Sequence, residues 1–309
     1  YTDVVESYHD RIERLGRGFQ RVARVLAEHA RRGRFRPVAV EVSFGVSQGF
    51  PAWQIPLGDH GTVSIRGRID RIETVREGNT VYFRVIDFKR GARRLQLTDV
   101  YLGFSLQLLT YIGAVLANGQ LLKGEQQGSS YIQLVPAGAL YFPLNEPLVK
   151  TEGPVHEETL AGKLLAQYRT SGILLADTEV IEWMESGLSG SSQLLPVGIT
   201  KQGGFYKSSC VHPWGEMEIL LAYVRLSIRS LAEAILDGRI DIAPYRKSRD
   251  RACRYCPYLQ VCRFEMGVAG CGYRYIPDIS AKEALLYMTN AVAQQREAKQ
   301  RGEVKSNGG

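Results

Sequence analysis

Asp70, Asp87 seventeen residues later, and Lys89 two beyond that are the residues of this chain whose types and spacing best suit chemistry. Asp70 sits in Gly67-Arg68-Ile69-Asp70-Arg71-Ile72 and Asp87 in Val85-Ile86-Asp87-Phe88-Lys89, and Glu77-Gly78-Asn79 between them carries the residues of a hairpin turn. The two aspartates are therefore expected on adjacent strands. Side chains alternate along a strand, so Asp87 and Lys89 project from one face while Ile86 and Phe88 enter the opposite layer. Two carboxylates can hold Mg²⁺, which takes oxygen ligands, and a neighbouring ammonium can orient an attacking water or offset charge on the reacting phosphate. The set reads as a metal-dependent phosphodiester-cleaving site. A surface hairpin with Asp-Arg and Asp-Lys pairs would carry the same residues at almost no energetic gain, so the weight rests on what accompanies them.

What accompanies them is a helix. Leu106-Gln107-Leu108-Leu109-Thr110-Tyr111 opens an apolar stretch whose spacing suits packing against the hairpin, and Gln107 and Tyr111, four apart, share a face. Their amide and phenol can touch a phosphate or hold the lysine by hydrogen bonds. The remaining elements read coarsely. Residues 1–32 form an amphipathic helix with a weak point near Gly16 and Gly18, and His9 and His29 fall on its surface. Strands are expected over 37–46, 62–76, 80–89 and 130–143, helices over 99–118, 155–170 and 214–237, and a loop over 119–130. A helix begins after about Ser280 and ends in a disordered Gly302 to Gly309 tail.

Five cysteines in 309 residues, without a signal peptide, fit a reducing cytosol. Cys253-Arg254-Tyr255-Cys256, then Cys262 and Cys271, can bind zinc or an iron-sulfur cluster by spacing alone. A net charge of +7 suits a polyanionic partner. Arg246, Lys247, Arg249, Arg251 and Arg254 crowd the first cluster cysteine, beside Tyr245 and Tyr255, where they can meet the backbone of single-stranded DNA. No apolar run approaches the ~20 residues that span a bilayer, so no membrane partner is expected.

The order Gly-Arg-Ile-Asp-Arg-Ile, Ile-Asp-Phe-Lys, then Gln-Leu-x-x-Tyr resembles the RecB-type branch of the PD-(D/E)XK nuclease superfamily. Phe35 to Gly45, Ala137 to Phe142 and Cys253-x-x-Cys256 with Cys262 are similar to flanking segments of its iron-sulfur-containing members, the nuclease domains of bacterial helicase-nuclease B subunits. The resemblance spans roughly residues 35 to 275. It implies an α/β restriction-endonuclease-like core, a mixed sheet flanked by helices with helical additions, closed by a C-terminal iron-sulfur segment. It also implies a 4Fe–4S cluster on Cys253, Cys256 and Cys262. Its fourth cysteine, and a metal-site histidine, are expected ahead of Tyr1, outside this fragment; Cys210 is expected to be an ordinary residue.

The implied activity is Mg²⁺-dependent DNA cleavage in the bacterial cytoplasm, serving recombinational repair of double-strand breaks. A partner A subunit would provide the motor, since the chain contains no Gly-x4-Gly-Lys-Ser/Thr sequence. Asp70, Asp87 and the Phe88 carbonyl are the expected metal ligands, with Lys89 acting on water and Gln107 and Tyr111 supporting. Glu41 is either an additional acidic residue near the metal or a strand-edge glutamate paired with an arginine. Arg68 and Arg71 are expected in ion pairs or phosphate contacts. The expected parts are a helical segment (1–34), the nuclease core (35–145), a mainly helical remainder (146–240), the cysteine segment (241–275) and a C-terminal helix with its tail (276–309). The alternatives are a catalytically silent DNA-end-binding module and a stand-alone Cas4-like nuclease.

Overall fold

The computed structural model describes residues 2–47, 49–91, 93–123, 132–144, 153, 156–247, 250–268 and 270–306. Helix α1 (Thr2–Arg32) leads into strand β1 (Arg36–Phe44), then β2 (Trp53–Pro56), β3 (Thr62–Ile65), β4 (Gly67–Glu77) and β5 (Thr80–Lys89). Helices α2 (Leu97–Tyr101), α3 (Gln107–Ala117) and α4 (Gln120–Lys123) connect β5 to β6 (Gln133–Pro143). There follow α5 (Glu157–Gln167), β7 (Ser171–Leu175), α6 (Thr178–Met184), β8 (Gly190–Ser191), β9 (Gly198–Ile199), β10 (Val211–His212) and α7 (Trp214–Leu236). Last come β11 (Tyr245–Lys247), β12 (Asp250–Arg251), α8 (Leu259–Cys262), β13 (Arg274–Tyr275) and α9 (Ala281–Ser306).

The alternating pattern of 67–89 becomes a two-residue hairpin in which Glu77 pairs with Thr80. Gly78 has φ +56°, and Asn79 keeps a negative φ, so glycine occupies the one turn position that needs the left-handed region. This turn fixes the register, and a slip of one residue would turn every side chain to the other face. The hairpin lies inside a six-stranded mixed sheet of order β1-β4-β5-β6-β7-β10. Strands β1, β4 and β5 are antiparallel, while β6 runs parallel to β5 and so needs the helical crossover.

Helix α3 covers one face, its residues Leu108 to Val115 all buried. Such a helix is apolar all round because it lies between the sheet and α7. Helix α1 covers the other face, where His29 meets the Phe142 ring at 6.1 Å and Arg84 lies over the Phe35 ring at 4.8 Å.

Several expectations are corrected. Helix α1 runs unbroken through Gly16 and Gly18, whose cost of about 1 kcal/mol each relative to alanine does not interrupt a helix of 31 residues. His29 is not a surface residue: it is buried against the sheet, and burial lowers its pKa to about 3. The expected strand 62–76 breaks at Arg66, because β3 pairs with β2 in a separate ribbon. Gly67 then passes so close to Phe44 that a Cβ would stand 2.7 Å from the ring.

The expected helix 99–118 is two helices. Gly103, with φ +79°, turns the chain between α2 and α3. The expected 119–130 loop contains α4, and its residues 124–130 lie outside the described ones. The C-terminal helix continues to Ser306 and packs on α2 and α7, burying Ala284, Met288 and Val292. Residues 302–306 are therefore helical where a tail was expected, and 307–309 lie outside the described residues.

Candidate active site

Strands β4 and β5 pair only as far as Arg71 and Ile86. Beyond that point β4 continues along β1 and β5 along β6, so the sheet forks. A fork leaves backbone groups without ladder partners, and these must be satisfied otherwise. Here the Phe88 N–H donates to Asp70 Oδ2 at 2.8 Å, which draws the Asp70 carboxylate to the backbone next to Asp87. Within a strand the N–H and C=O of one residue point to the same side, so the Phe88 carbonyl also faces the fork.

Asp87 is 1% exposed. Burial raises its pKa above the ordinary carboxylate range, and the nearby Asp70 pushes the same way; Lys89 and, more weakly, Arg93 oppose it. Lys89 Nζ stands 2.7 Å from Asp87 Oδ2 and 6.0 Å from the centre of the Tyr141 ring. The ammonium meets that oxygen obliquely, so the buried Oδ2 accepts no well-directed hydrogen bond among the described residues. A desolvated carboxylate with an open lone pair beside a second carboxylate is a site that attracts a cation. The donors present are all oxygen, which fits a hard divalent ion such as Mg²⁺.

Gln107 and Tyr111 share a face as expected. The Gln107 amide donates to Tyr111 Oη at 2.7 Å, leaving the phenol proton available for a second acceptor. Burial raises the Tyr111 pKa, and Gln107 opposes; Asp87 and Asp70 add to the rise, which puts the phenol within electrostatic reach of both aspartates. Phe44 packs edge-on against Tyr111 at 6.2 Å and fixes the ring.

Glu41 lies opposite Asp70 in the β1–β4 register, between the pairs Val40–Arg71 and Val42–Ile69. Its φ of +51° breaks the ladder locally, and its carboxylate meets Arg68 Nε at 3.0 Å, both side chains being largely exposed. Arg71 pairs with the buried Glu73 on the other face, where Glu73 also accepts from Arg84 Nε at 2.6 Å. Sequence reasoning missed Tyr141, which pairs with Asp87 across β5 and β6; its alternation within Leu140-Tyr141-Phe142 is the signal that placed it on the Asp87 face.

The cysteine segment is clipped to the break between α2 and α3. Lys247 Nζ reaches Asp99 at 3.3 Å, and the Tyr245 ring lies 4.7 Å from that of Phe104. Arg246 lies over Tyr273 and Arg254 over Tyr255, so part of the basic run is engaged with its own aromatics; Arg249 lies outside the described residues. Cys253 falls in a 3-10 turn, Cys256 caps it, and Cys262 ends α8. All three are free thiols, half-buried or exposed. Among the described residues no three His, Cys, Asp or Glu side chains are gathered to hold a metal ion, so the expected convergence of these sulfurs is not seen. Local turn hydrogen bonds, such as Cys262 N–H to the Tyr258 carbonyl at 2.8 Å, set the backbone here.

The family model of the PD-(D/E)XK nuclease superfamily matches residues 5–263, a span that holds the fork, its two aspartates and Lys89. The chain belongs to the PD-(D/E)XK nuclease superfamily. Within it, the chain is closely related to the B subunits of proteins named ATP-dependent helicase/deoxyribonuclease. It is 41% identical to that of Desulforamulus reducens over 254 residues, 82% of this chain and 21% of the relative. Identity to the Pelotomaculum thermopropionicum protein is 41% over 266 residues, 86% of this chain and 22% of the relative. The Moorella thermoacetica protein is 40% identical over 267 residues, 86% of this chain and 23% of the relative. This PD-(D/E)XK chain thus spans between a fifth and a quarter of the length of these curated relatives. No helix among its described residues is long and apolar enough to cross a membrane.

Proposed function

We propose that this chain is the nuclease domain of a helicase-nuclease, a Mg²⁺-dependent deoxyribonuclease that trims DNA ends in recombinational repair of double-strand breaks. One observation carries the reading: the buried Asp87 carboxylate, with an oxygen open to a cation, is held beside Lys89 and next to an Asp70 drawn in by the fork. Asp70, Asp87 and the Phe88 carbonyl would hold the ion. When bound, Mg²⁺ polarises a phosphate oxygen and lowers the pKa of a bound water. Lys89 presents a proton-bearing cation to the attacking water and to the charge that develops on phosphorus. Tyr111, oriented by Gln107, offers its phenol proton to a carboxylate or a phosphate oxygen. Glu41 would join through a water, by releasing Arg68.

The names of the relatives support a bacterial, cytoplasmic assembly in which a partner A subunit supplies the motor, and they favour it over a stand-alone Cas4-like enzyme. Three cysteines within ten residues of one segment support a 4Fe–4S cluster on Cys253, Cys256 and Cys262, completed by a ligand from outside this chain. Anaerobic purification of the full-length protein should give stoichiometric iron and broad visible absorbance, and Cys256→Ala should lose both; a variant that kept them would exclude the cluster from these cysteines.

The test of the nuclease is cleavage of end-labelled single-stranded DNA with Mg²⁺. Asp70→Ala, Asp87→Ala and Lys89→Ala should each lower the rate by at least about a hundredfold, comparable to losing one strong electrostatic stabiliser, while DNA binding persists. Wild-type cutting by Asp87→Ala would refute the site. Binding without any cutting by the wild type would make the chain a silent DNA-end module.

A further inference from the structure

Beyond Lys89 the surface opens into a cavity of about 630 Å³ between the end of β6, the end of α5 and the chain before β10. Four cations line it, Lys89, Arg93, Arg94 and Arg169, and no carboxylate does. Among the described residues Arg93, Arg94 and Arg169 make no ion pair with any acid. In a chain where most described arginines near acids are paired, three unpaired guanidiniums around one concavity are a standing demand for an anion.

The arginines are also positioned in advance. The Arg93 carbonyl accepts from the Ser171 hydroxyl, which ties the loop to the start of β7. Arg169 Nε donates to the Leu195 carbonyl at 2.7 Å, which fixes the guanidinium plane and leaves its two Nη groups for another acceptor. Arg94 and Arg169 both act on the Cys210 thiol and Arg93 acts on Asp87, so the three span the distance from the cavity floor to the candidate metal site. A second cavity, of about 600 Å³, shares Lys89, Arg93, Arg94 and Tyr141 with the first and continues to Phe104 and Tyr245.

We infer that Arg93, Arg94 and Arg169 form a phosphate-binding subsite that holds the backbone of a single nucleic-acid strand immediately past Lys89. The subsite rests on the nuclease reading for its position beside the scissile phosphate, and it specifies the form of the substrate. Guanidiniums meet phosphodiester oxygens through paired N–H donors, and a cavity of this size takes one strand and excludes a duplex. The exposed ring of Phe104, beside Tyr245, lies where a base of that strand can stack.

The experiment uses full-length protein and a fluorescein-labelled twenty-residue oligothymidylate in EDTA, with anisotropy read over a range of salt. Each arginine lost should lower the slope of log K against log salt by about 0.7, the value for one single-strand phosphate contact. The triple variant Arg93→Ala, Arg94→Ala, Arg169→Ala should lose about 2 in slope and bind at least tenfold more weakly, whereas a blunt duplex of the same length should be affected far less. With Mg²⁺ present, KM should rise and kcat should stay within about twofold.

A triple variant that melts like the wild type and keeps the wild-type slope would overturn the subsite. Should that variant fail to fold, single Arg94→Gln and the three lysine replacements carry the same test, the lysines keeping the slope and the glutamine losing its share. The two readings fail separately. A protein that never cuts yet shows the arginine-dependent slope keeps the subsite and loses the nuclease, while cutting with an unaltered slope does the reverse.

Discussion

At the scale of the residue, two buried titratable groups on opposite faces of the sheet are held against their ordinary states for different reasons. Asp87 is pushed up by burial and by Asp70, and Lys89 keeps it within reach of ionisation, which suits a ligand that must bind a cation at neutral pH. His29 has no such partner. Its Nε2 is buried without a hydrogen bond among the described residues, and burial first, then Arg84, lowers its pKa to about 3 from 6.5. The folded state thus binds fewer protons at His29 than the unfolded state between these two values. Stability that is complete above pH 6.5 is lost as pH falls through that window. The expected loss between pH 6.5 and 5 is about 2 kcal/mol from this one group, at about 1.4 kcal/mol per unit. Denaturant unfolding at the two pH values measures it, and His29→Leu should shrink the difference by that amount. Equal pH dependence in variant and wild type would show that His29 does not stay neutral.

At the scale of the element, legibility followed the strength of the local pattern. The catalytic hairpin was readable because a period of two and a Gly-Asn turn fix strand, face and register together, and the shared face of Gln107 and Tyr111 followed from helical spacing alone. The fork between β4 and β5 was not readable, since it depends on which strands each one joins further along. The break at Gly103 was hidden for a related reason: the apolar residues on both sides keep helical spacing, and only the glycine's positive φ separates them. Least visible was the ionic cluster under α1, because Glu73 and Arg84 look like solvent-facing positions of alternating strands. Both are almost fully buried, and Glu73 is shared between Arg84 and Arg71. Burial raises the Glu73 pKa, but the two arginines outweigh it and leave it lowered. Removing one partner of a buried pair strands the other, so Glu73→Ala should cost about 3–5 kcal/mol, while Glu73→Leu combined with Arg84→Met should cost much less. Chemical unfolding of the single and double variants decides the matter, and equal losses in the two would mean that the charge pair is not what is being removed.

At the scale of the whole molecule, the C-terminal helix that the sequence marks as an appendage is part of the core. Tyr101 of α2 lies between Tyr223 of α7 and Tyr287 of α9, with ring centroids at 5.8 and 5.4 Å, and the Tyr223 hydroxyl donates to the Tyr101 carbonyl. The same α2 precedes the turn whose Phe104 meets Tyr245, and it carries the Asp99 partner of Lys247, so α9 buttresses the element that clips the cysteine segment to the core. Sequence period alone cannot reveal this, because the buried face of α9 is narrow, only Ala284, Met288 and Val292 being fully covered. Met288→Ala should therefore create a cavity beneath three helices and cost about 2–5 kcal/mol, the range for truncating a buried Met or Leu. If α9 unfolded on its own, the global transition would stay in place and only a minor, separate loss of helical signal would be seen on heating. The expected result is one transition, shifted down as a whole, with hydrogen exchange quickened in α2 and in the cysteine segment as well as in α9. Exchange that quickened in α9 alone would show that the tyrosine stack does not transmit the support, and the cysteine segment would then owe its position to its own turns and to whatever ligand closes on its thiols.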